Sequence, residues 1–375
     1  MTPAVVWSKL APFNELLTLS DTCMPKSRRY ALLGLCALLF IVLITWYFTR
    51  STPVAVPPAI AHGYSKALKQ AHNGEPGAAR VLYQQLARPD LSPERRAALH
   101  AELPNYPSPQ ALKLADKDLA DPSPLVREAA IHSIVGLVPT GQRTLLLGPV
   151  LDDPEQPVRF AAANALLGLS PDTLGLYFGP LQQVLDEYVK HLKSQPETAE
   201  GWIQLARLYI HSALLPEAQA ALEQATRLQS DNLPAVVAQI ELLDKQGKTD
   251  ESRQLLARQL AAHPESAYLQ HALGLWLLHH GERTYALLGL SKAVELEPDN
   301  QDYRYDLATT LHAQQELEAA QRQLEEIVQR HPANRKARVL LINYWKESGQ
   351  LQNVQVLLAQ LEQQNPDDPA LQQGL

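Results

Sequence analysis

Apolar and small residues return at a fixed period of 34 positions through the second half of the chain. Within each period, large apolar residues stand three and four positions apart, as they do on the buried face of an amphipathic helix. Small residues such as Ala206, Gly274 and Ala308 occupy one fixed offset, where they let two helices approach closely. Prolines, which stop helices, close the units at every boundary except one, which carries a serine: Pro196, Ser230, Pro264, Pro298, Pro332 and Pro366. The pattern predicts two short antiparallel helices in each unit.

A fixed period of this length is typical of stacked helical repeats. The sizes and spacing of the residues resemble the tetratricopeptide (TPR) family, with five full repeats over residues 196–367. The resemblance implies an all-α, right-handed solenoid of helical hairpins, in which each repeat contacts mainly its neighbours. Ile240 and Ile342 stand where the family usually has a small residue, and Ser252 and Val354 replace a usual alanine. We therefore expect slightly altered helix packing in those units.

A second repeat type, with a period of 32 residues, precedes the first. Asp121 and Asp153 each come directly before a proline, and each is followed by an arginine, Arg127 or Arg159, and by a helical apolar stripe. Aspartate before proline is a favourable helix start, so we predict aspartate N-caps at these places. The units resemble the HEAT family, and a looser third unit starts near Ser92. The two arginines are expected to bridge successive repeats rather than to bind an anion.

The order of HEAT-like and then TPR units also resembles the haem-free C-terminal half of bacterial multihaem cytochrome c proteins. In those proteins, CxxCH motifs that bind haem come first. This chain lacks that part, and its two cysteines are Cys23 and Cys36. The resemblance therefore implies the scaffold and not the redox chemistry.

Residues 30–48 are a run of 19 residues without a charge, close to the length that spans a bilayer as one helix. A cleaved secretory signal is the alternative, but its apolar core would be shorter, about 7–15 residues. Lys26, Arg28 and Arg29 precede the run and only Arg50 follows it closely. The positive-inside rule then places the N-terminus in the cytoplasm and the bulk of the chain outside. In a bacterium this arrangement is a single-pass inner-membrane signal anchor with a periplasmic domain.

The sequence therefore divides into six segments. They are a cytoplasmic N-terminal segment, the transmembrane helix, a proline-rich linker, the HEAT-like repeats, the TPR repeats and a short tail, with predicted bounds 1–29, 30–48, 49–61, 62–195, 196–367 and 368–375. The prolines of the linker favour an extended polyproline spacer between the membrane and the folded part.

Reactive or ligand-binding motifs are absent from the sequence. The net charge of −7 argues against nucleic acid as the main partner. His279 and His280 are adjacent and lack the i, i+4 spacing of a zinc helix, so a solvated turn is the expected place for them. No phosphate-binding glycine loop and no nucleophile motif appears. We therefore predict no enzyme activity, no cofactor and no metal, and we expect other proteins or peptide segments as partners.

Stacked helical pairs form a concave surface, and the TPR resemblance implies that the first helix of each unit lines it. The groove-facing offsets carry mixed charge at the ends of the stack, and aromatic and histidine residues in its middle. The candidate protein-binding residues are Arg207, Tyr268, His271, Leu275, His279, Tyr305, His312 and Asn343.

These observations favour a membrane-anchored periplasmic scaffold that binds other proteins through a TPR/HEAT solenoid. Envelope protein assembly, secretion and cytochrome maturation are the processes in which we expect such a scaffold to act. The alternative is an accessory subunit of a redox or haem-protein complex, or an enzyme with an unrecognised site.

Overall fold

The computed structural model describes residues 58–195 and 197–372, and all regular structure in these two ranges is helical. The α-helices are α1 (Pro58–His72), α2 (Ala78–Leu86), α3 (Pro93–Glu102), α4 (Pro109–Asp118), α5 (Pro124–Leu137), α6 (Arg143–Leu147), α7 (Gln156–Leu166), α8 (Pro171–Leu174), α9 (Phe178–Ser194), α10 (Ala199–His211), α11 (Leu215–Leu228), α12 (Leu233–Lys245), α13 (Thr249–Ala262), α14 (Ala267–His279), α15 (Arg283–Leu296), α16 (Gln301–Ala313), α17 (Leu317–Arg330), α18 (Arg335–Glu347), α19 (Leu351–Gln364) and α20 (Pro369–Gln372). Short 3-10 turns lie at Leu103–Asn105, Thr140–Gln142, Pro149–Asp152 and Gly175–Tyr177. The predicted all-α solenoid of helical hairpins is confirmed.

Each of the predicted TPR units is a pair of helices, from α10 with α11 to α18 with α19. The boundary prolines from Pro264 onward lie between the pairs, and Pro196 lies outside the described residues. Two positions after each of the first five boundaries, a polar side chain accepts a hydrogen bond from the backbone N–H three residues on, which satisfies one free donor of the new helix. These N-caps are Thr198, Asn232, Ser266, Asn300 and Asn334.

The turn between the two helices of each unit contains one residue in the left-handed region of backbone space. Three units place a glycine there, with φ of 75° at Gly247, 81° at Gly281 and 73° at Gly349. The equivalent residues of the other two units are Ala213, with φ of 56°, and Gln315, with φ of 67°. A side chain costs energy in this conformation, so these two turns are strained relative to the other three.

Small residues lie where the two helices of a unit cross. Five alanines at these places are fully buried, namely Ala206, Ala218, Ala286, Ala308 and Ala320. Gly274 and Gly289 bring α14 and α15 especially close, because a Cβ on Gly289 would lie 2.8 Å from the Gln270 carbonyl oxygen. The predicted role of the small residues is therefore confirmed. Leu273, by contrast, is only half-buried and packs beside Val236, Ile240 and Leu256.

The arginines of the predicted HEAT-like units bridge successive helices, as expected. Arg127 of α5 binds Asp153 through two hydrogen bonds of 2.8 Å, from Nε and Nη2. Arg159 of α7 pairs with Glu187 of α9, with 2.5 Å between Nη2 and Oε1. Both guanidinium groups also donate to backbone carbonyls at the start of their own unit, so each arginine fixes two loops at once.

The prediction of aspartate N-caps in these units is wrong. Helices α5 and α7 begin at Pro124 and Gln156, and their N-cap residues make no side-chain cap hydrogen bond. Asp121 and Asp153 lie earlier, where each accepts the backbone N–H two residues on, at 2.9 and 2.8 Å. These aspartates therefore shape the turn before the helix, and Asp153 is at the same time the partner of Arg127.

A fully enclosed polar cluster lies under α3, α4 and α5. Asp118 accepts hydrogen bonds of 2.9 Å from Arg96 and from His100, and His100 is also 2.9 Å from the Ser133 hydroxyl. Burial favours the neutral carboxyl, but the hydrogen bonds from His100 and Arg96 outweigh it and hold the pKa of Asp118 below its ordinary value.

Helix α1 begins inside the stretch predicted as a linker. The helix starts at Pro58, so the last residues of the predicted 49–61 linker are helical. The rest of that linker, the predicted transmembrane run 30–48 and the N-terminal segment lie outside the described residues. Within residues 58–195 and 197–372, no helix is both long enough and apolar enough to cross a bilayer.

The last repeat contacts the first helical pair. The prediction that each repeat contacts mainly its neighbours did not include this contact. The Gly77 N–H donates to the Gln363 carbonyl at 2.7 Å, and the Asn365 side chain donates to the Pro107 carbonyl at 2.8 Å. The Gln364 side chain donates to the Gly74 carbonyl. We call the contact between residues 71–108 and 332–370 the seam. Residues about 250 to 290 positions apart in the sequence are therefore in direct contact at the seam.

Candidate functional site

A cavity of about 520 Å³ opens between α12 and α14, the first helices of two successive predicted TPR units. The residues of both helices that line it include ones that the sequence predicts to face the groove, such as Glu241 and Tyr268. Its walls are mainly apolar, with a few polar groups at the rim. The lining residues are Val237, Ile240, Glu241, Asp244, Lys245, Tyr268, His271, Ala272, Leu275, Trp276 and His279.

Four of the eight candidate binding residues meet at this cavity: Tyr268, His271, Leu275 and His279. They lie on one side of α14, one helical turn apart. Tyr268 and Leu275 are 37% and 42% exposed, so both side chains are available to a ligand. The concave walls withdraw water from the Tyr268 hydroxyl and raise its pKa. The site therefore combines two exposed apolar side chains with a concave, apolar wall.

Arg207 lies on α10, one unit before the cavity, and acts on it through charge. Desolvation of the Glu241 carboxylate raises its pKa above the ordinary value. The positive charges of Lys245 and Arg207 offset only part of this rise. The Glu241 carboxylate makes no hydrogen bond or ion pair with the residues that the structure describes. The carboxylate of Glu241 therefore forms no ion pair with the positively charged Lys245 and Arg207 nearby.

The other three candidates lie outside the cavity. The ring of Tyr305 is covered by the Lys336 ammonium, whose Nζ lies 3.8 Å from the ring centroid. His312 stacks on Tyr344 at 3.8 Å between centroids, and its Nε2 lies 2.5 Å from Glu347. Asn343 is half-buried on α18. Their contacts join α16 to α18, so the structure does not bring them together with the first four.

A polar chain of four side chains supports the cavity from below. The Trp276 indole N–H donates to Ser252 at 3.1 Å, Ser252 donates to Asp244 at 2.5 Å, and the other Asp244 oxygen is 2.9 Å from His280 Nε2. Burial favours neutral Asp244, but the hydrogen bonds from Ser252 and His280 outweigh it and lower its pKa. His280 is therefore not a solvated turn residue.

Ser252 stands where the repeat usually has alanine, and its hydrogen bonds to Trp276 and Asp244 explain the difference. The hydroxyl is fully buried and joins α13 to both neighbouring first helices. The sequence marked the position as unusual, but only the fold shows that Trp276 and Asp244 converge on it. The cavity residues that sequence reasoning missed, Val237 and Trp276 among them, carry no signal beyond the ordinary apolar stripe.

His271 links the cavity to the next unit. Its Nε2 is 2.8 Å from Asp306, and its ring stacks on Tyr303 at 4.5 Å between centroids. With the pairs of His280 with Asp244 and His312 with Glu347, this gives three histidine–carboxylate links between successive first helices or their ends. Within the described ranges, no group of three or more histidine, cysteine or acidic residues is placed to hold a metal ion.

The comparison with known families matches one part of the chain. Residues 287–356, from α15 into α19, match the family model described as "Tetratricopeptide repeat". This segment is therefore similar to TPR units, as the 34-residue period indicated. No curated protein matches the chain.

Solved structures, two of them titled as TPR proteins, are similar to about half of the chain. One is YrrB, titled as a TPR protein with an unusual peptide-binding site, at 20% identity, covering 51% of this chain and 98% of that one with a TM-score of 0.35. Another is PilF of Pseudomonas aeruginosa, at 20% identity, 52% and 89% coverage and a TM-score of 0.36. A third is a thermophilic TPR protein of Thermus thermophilus, at 20% identity, 54% and 98% coverage and a TM-score of 0.38.

Proposed function

We propose that this protein is a binding scaffold that holds an extended segment of a partner protein in the concave cavity between α12 and α14. The observation that carries the proposal is the convergence of exposed Tyr268 and Leu275 on an apolar cavity of about 520 Å³. A cavity of this size accepts one large apolar side chain together with part of its backbone. We therefore expect the partner segment to insert a leucine, methionine or aromatic side chain.

The binding energy should concentrate in a few contacts. Aromatic and large apolar side chains in a concave, partly desolvated site dominate most protein interfaces. Here the walls are held in place by the chain from Trp276 through Ser252 to Asp244. A preformed site loses little conformational freedom on binding, so a short segment can bind with useful affinity.

The test is a selection of displayed random peptides on the detergent-solubilised full chain, followed by affinity measurements on the selected peptides. Tyr268→Ala and Leu275→Asp should each weaken binding about 10- to 100-fold, because both lose an apolar contact worth about 1.4–2.8 kcal/mol. Tyr305→Ala is the matched control. It removes a tyrosine from an equivalent groove-facing helix, but one that lies outside the cavity, and it should leave affinity unchanged.

Equal affinity of the selected peptides for wild type and both cavity variants would remove the cavity as the binding site. A second cavity, of about 610 Å³, would then be examined between α5, α7 and α9. It is lined by Phe160 and Tyr188, whose rings stack at 4.0 Å between centroids.

The place of this scaffold in the cell is a second part of the proposal. The uncharged run at residues 30–48 and the basic residues before it support a membrane anchor with the solenoid on the outer face of the inner membrane. In that compartment the scaffold would act in envelope protein assembly, secretion or cytochrome maturation. Alkaline phosphatase fused after residue 60 should be active in a bacterial host. A fusion active only with a cytoplasmic reporter would reverse this orientation.

A further inference from the structure

The second cavity, of about 610 Å³, lies between α5, α7 and α9 in the part of the chain predicted as HEAT-like repeats. We propose that this cavity binds an arginine side chain of a partner protein. The site shares no residue with the cavity between α12 and α14, so the proposal goes beyond the proposed function and does not depend on it. A cavity of this volume is large enough for one long side chain and part of the backbone beside it.

The charge of the lining residues favours a cation. Glu128 of α5 lines the cavity and is half-buried, and its carboxylate makes no hydrogen bond or ion pair with the residues that the structure describes. No lysine or arginine is among the described lining residues, which are otherwise apolar, aromatic, amide or histidine side chains. A carboxylate that is partly out of water and unpaired is stabilised by a cation that also donates hydrogen bonds.

The acid beside the cavity, in contrast, is already paired. Glu187 of α9 accepts hydrogen bonds from Arg159 and, at 2.9 Å, from the Gln156 amide nitrogen, and these bonds hold its pKa below the ordinary value. Because the amide nitrogen of Gln156 is used in this way, its carbonyl oxygen is the end that remains as an acceptor. Gln156 itself lines the cavity. The positive charge of Arg159 is therefore offset, and Gln156 adds an acceptor to the unpaired carboxylate of Glu128.

An aromatic ring completes the site. Tyr188 of α9 lines the cavity and is half-buried, and its ring stacks on buried Phe160 with 4.0 Å between centroids. Cations bind favourably over the faces of such rings, and this chain uses the same contact elsewhere, where Lys336 lies over Tyr305. Within residues 58–195 and 197–372, no lysine or arginine lies over Tyr188. The ring is therefore not covered by a cation of the described chain.

Arginine matches these groups better than lysine does. A guanidinium is planar, so it can stack on an aromatic ring through its face and at the same time donate hydrogen bonds in its plane. Tyr188 supplies the ring, and Glu128 and Gln156 supply the acceptors. The three side chains come from three different helices, α9, α5 and α7, so the site exists only when the helices are packed together.

The test begins with two displayed libraries of random peptides, one with a fixed central arginine and one with a fixed central glutamine, selected on the detergent-solubilised full chain. Enriched arginine peptides are synthesised with arginine or with uncharged citrulline, and titrated at pH 8, where histidine is largely uncharged. We expect citrulline to weaken binding to wild type by about tenfold or more. Glu128→Gln should weaken the arginine peptide by a similar factor and the citrulline peptide by less than about twofold, because the two charges act on each other. Tyr188→Leu should also weaken the arginine peptide.

Asp186→Asn is the matched control, because Asp186 is an exposed acid on α9 that does not line the cavity, and it should leave affinity unchanged. Glu128→Gln preserves the size of the side chain, so it decides the question even if Tyr188→Leu does not fold. Failure of the arginine library to enrich above the glutamine library, or equal effects of Glu128→Gln on both synthetic peptides, would overturn the proposal. Arginine peptides weakened by Tyr268→Ala but not by Glu128→Gln would also overturn it, and would leave the proposed function of the first cavity intact.

Discussion

Replacing Leu290 by alanine should weaken one hairpin of the solenoid by a predictable amount. Leu290 is fully buried in α15 and faces Gly274 of α14, where a Cβ would lie only 2.6 Å from its side chain. Removing three carbons from this place loses about 2.4 kcal/mol of transfer free energy at about 0.8 kcal/mol per carbon. The glycine opposite has no side chain with which to fill the space, so a cavity term of about 1–2 kcal/mol is added. The expected loss is therefore about 4 kcal/mol.

Hydrogen exchange of the full chain measures this loss locally. At 1.4 kcal/mol for each factor of ten, amides of α14 and α15 that exchange by opening of this hairpin should exchange about 10³-fold faster. Leu288→Ala is the control, because Leu288 lies on the same helix but is 69% exposed, and it should change stability by no more than about 0.5 kcal/mol. An acceleration below tenfold in Leu290→Ala, or equal effects of the two substitutions, would refute the packing argument.

Three further predictions concern the turns and the polar clusters. Ser252→Ala should cost about 1–3 kcal/mol, because half-buried Asp244 and Trp276 each lose a hydrogen bond to the buried serine. Hydrogen exchange of α12 to α14 would report this loss, and unchanged protection would contradict the hydrogen bonds through Ser252. Gln315→Gly should stabilise the protein by roughly 0.5 kcal/mol, since relief of left-handed strain exceeds the entropic cost of glycine, and a lowered melting temperature would count against strain at that turn. The carboxylate of Asp118 has a lowered pKa, so its stabilising effect is present above its unfolded-state pKa and is lost as the pH falls through the folded-state value. Denaturant unfolding should show wild type losing more stability than Asp118→Asn below about pH 4, and parallel pH profiles would exclude this assignment.

The repeat units were predictable because their signal is local. Proline spacing, small residues and helical apolar stripes all act within one hairpin. The residues that form each pattern are therefore the same residues that make the predicted contacts. The role of Arg127 and Arg159 was predictable for the same reason, since a fixed position in a repeat implies a fixed partner in the next. The N-cap residues two positions after each of the first five boundaries recur at the same 34-residue period.

Features that depend on distant parts of the chain were not predictable. The seam joins Gly74 to Gln364 and Pro107 to Asn365, and no periodic pattern relates these residues. Curvature accumulated over the whole stack decides whether the ends meet, and each unit fixes only a small part of it. The same holds for the cavity. Offsets alone placed Tyr268 and Tyr305 on equivalent faces, but Lys336 covers only the second.

The central claim, that the cavity between α12 and α14 holds a partner segment, is tested most directly by photo-crosslinking from inside it. Benzoylphenylalanine is placed at Leu275 in the full chain, and at exposed Leu288 on the same hairpin as the control. Mass spectrometry identifies each crosslinked segment, which is then synthesised and titrated against wild type and Tyr268→Ala. We predict crosslinks from position 275 but not from 288 to short segments centred on a large apolar residue, with affinity reduced at least tenfold by Tyr268→Ala. The same segments crosslinked from both positions, or bound equally by wild type and Tyr268→Ala, would contradict the account.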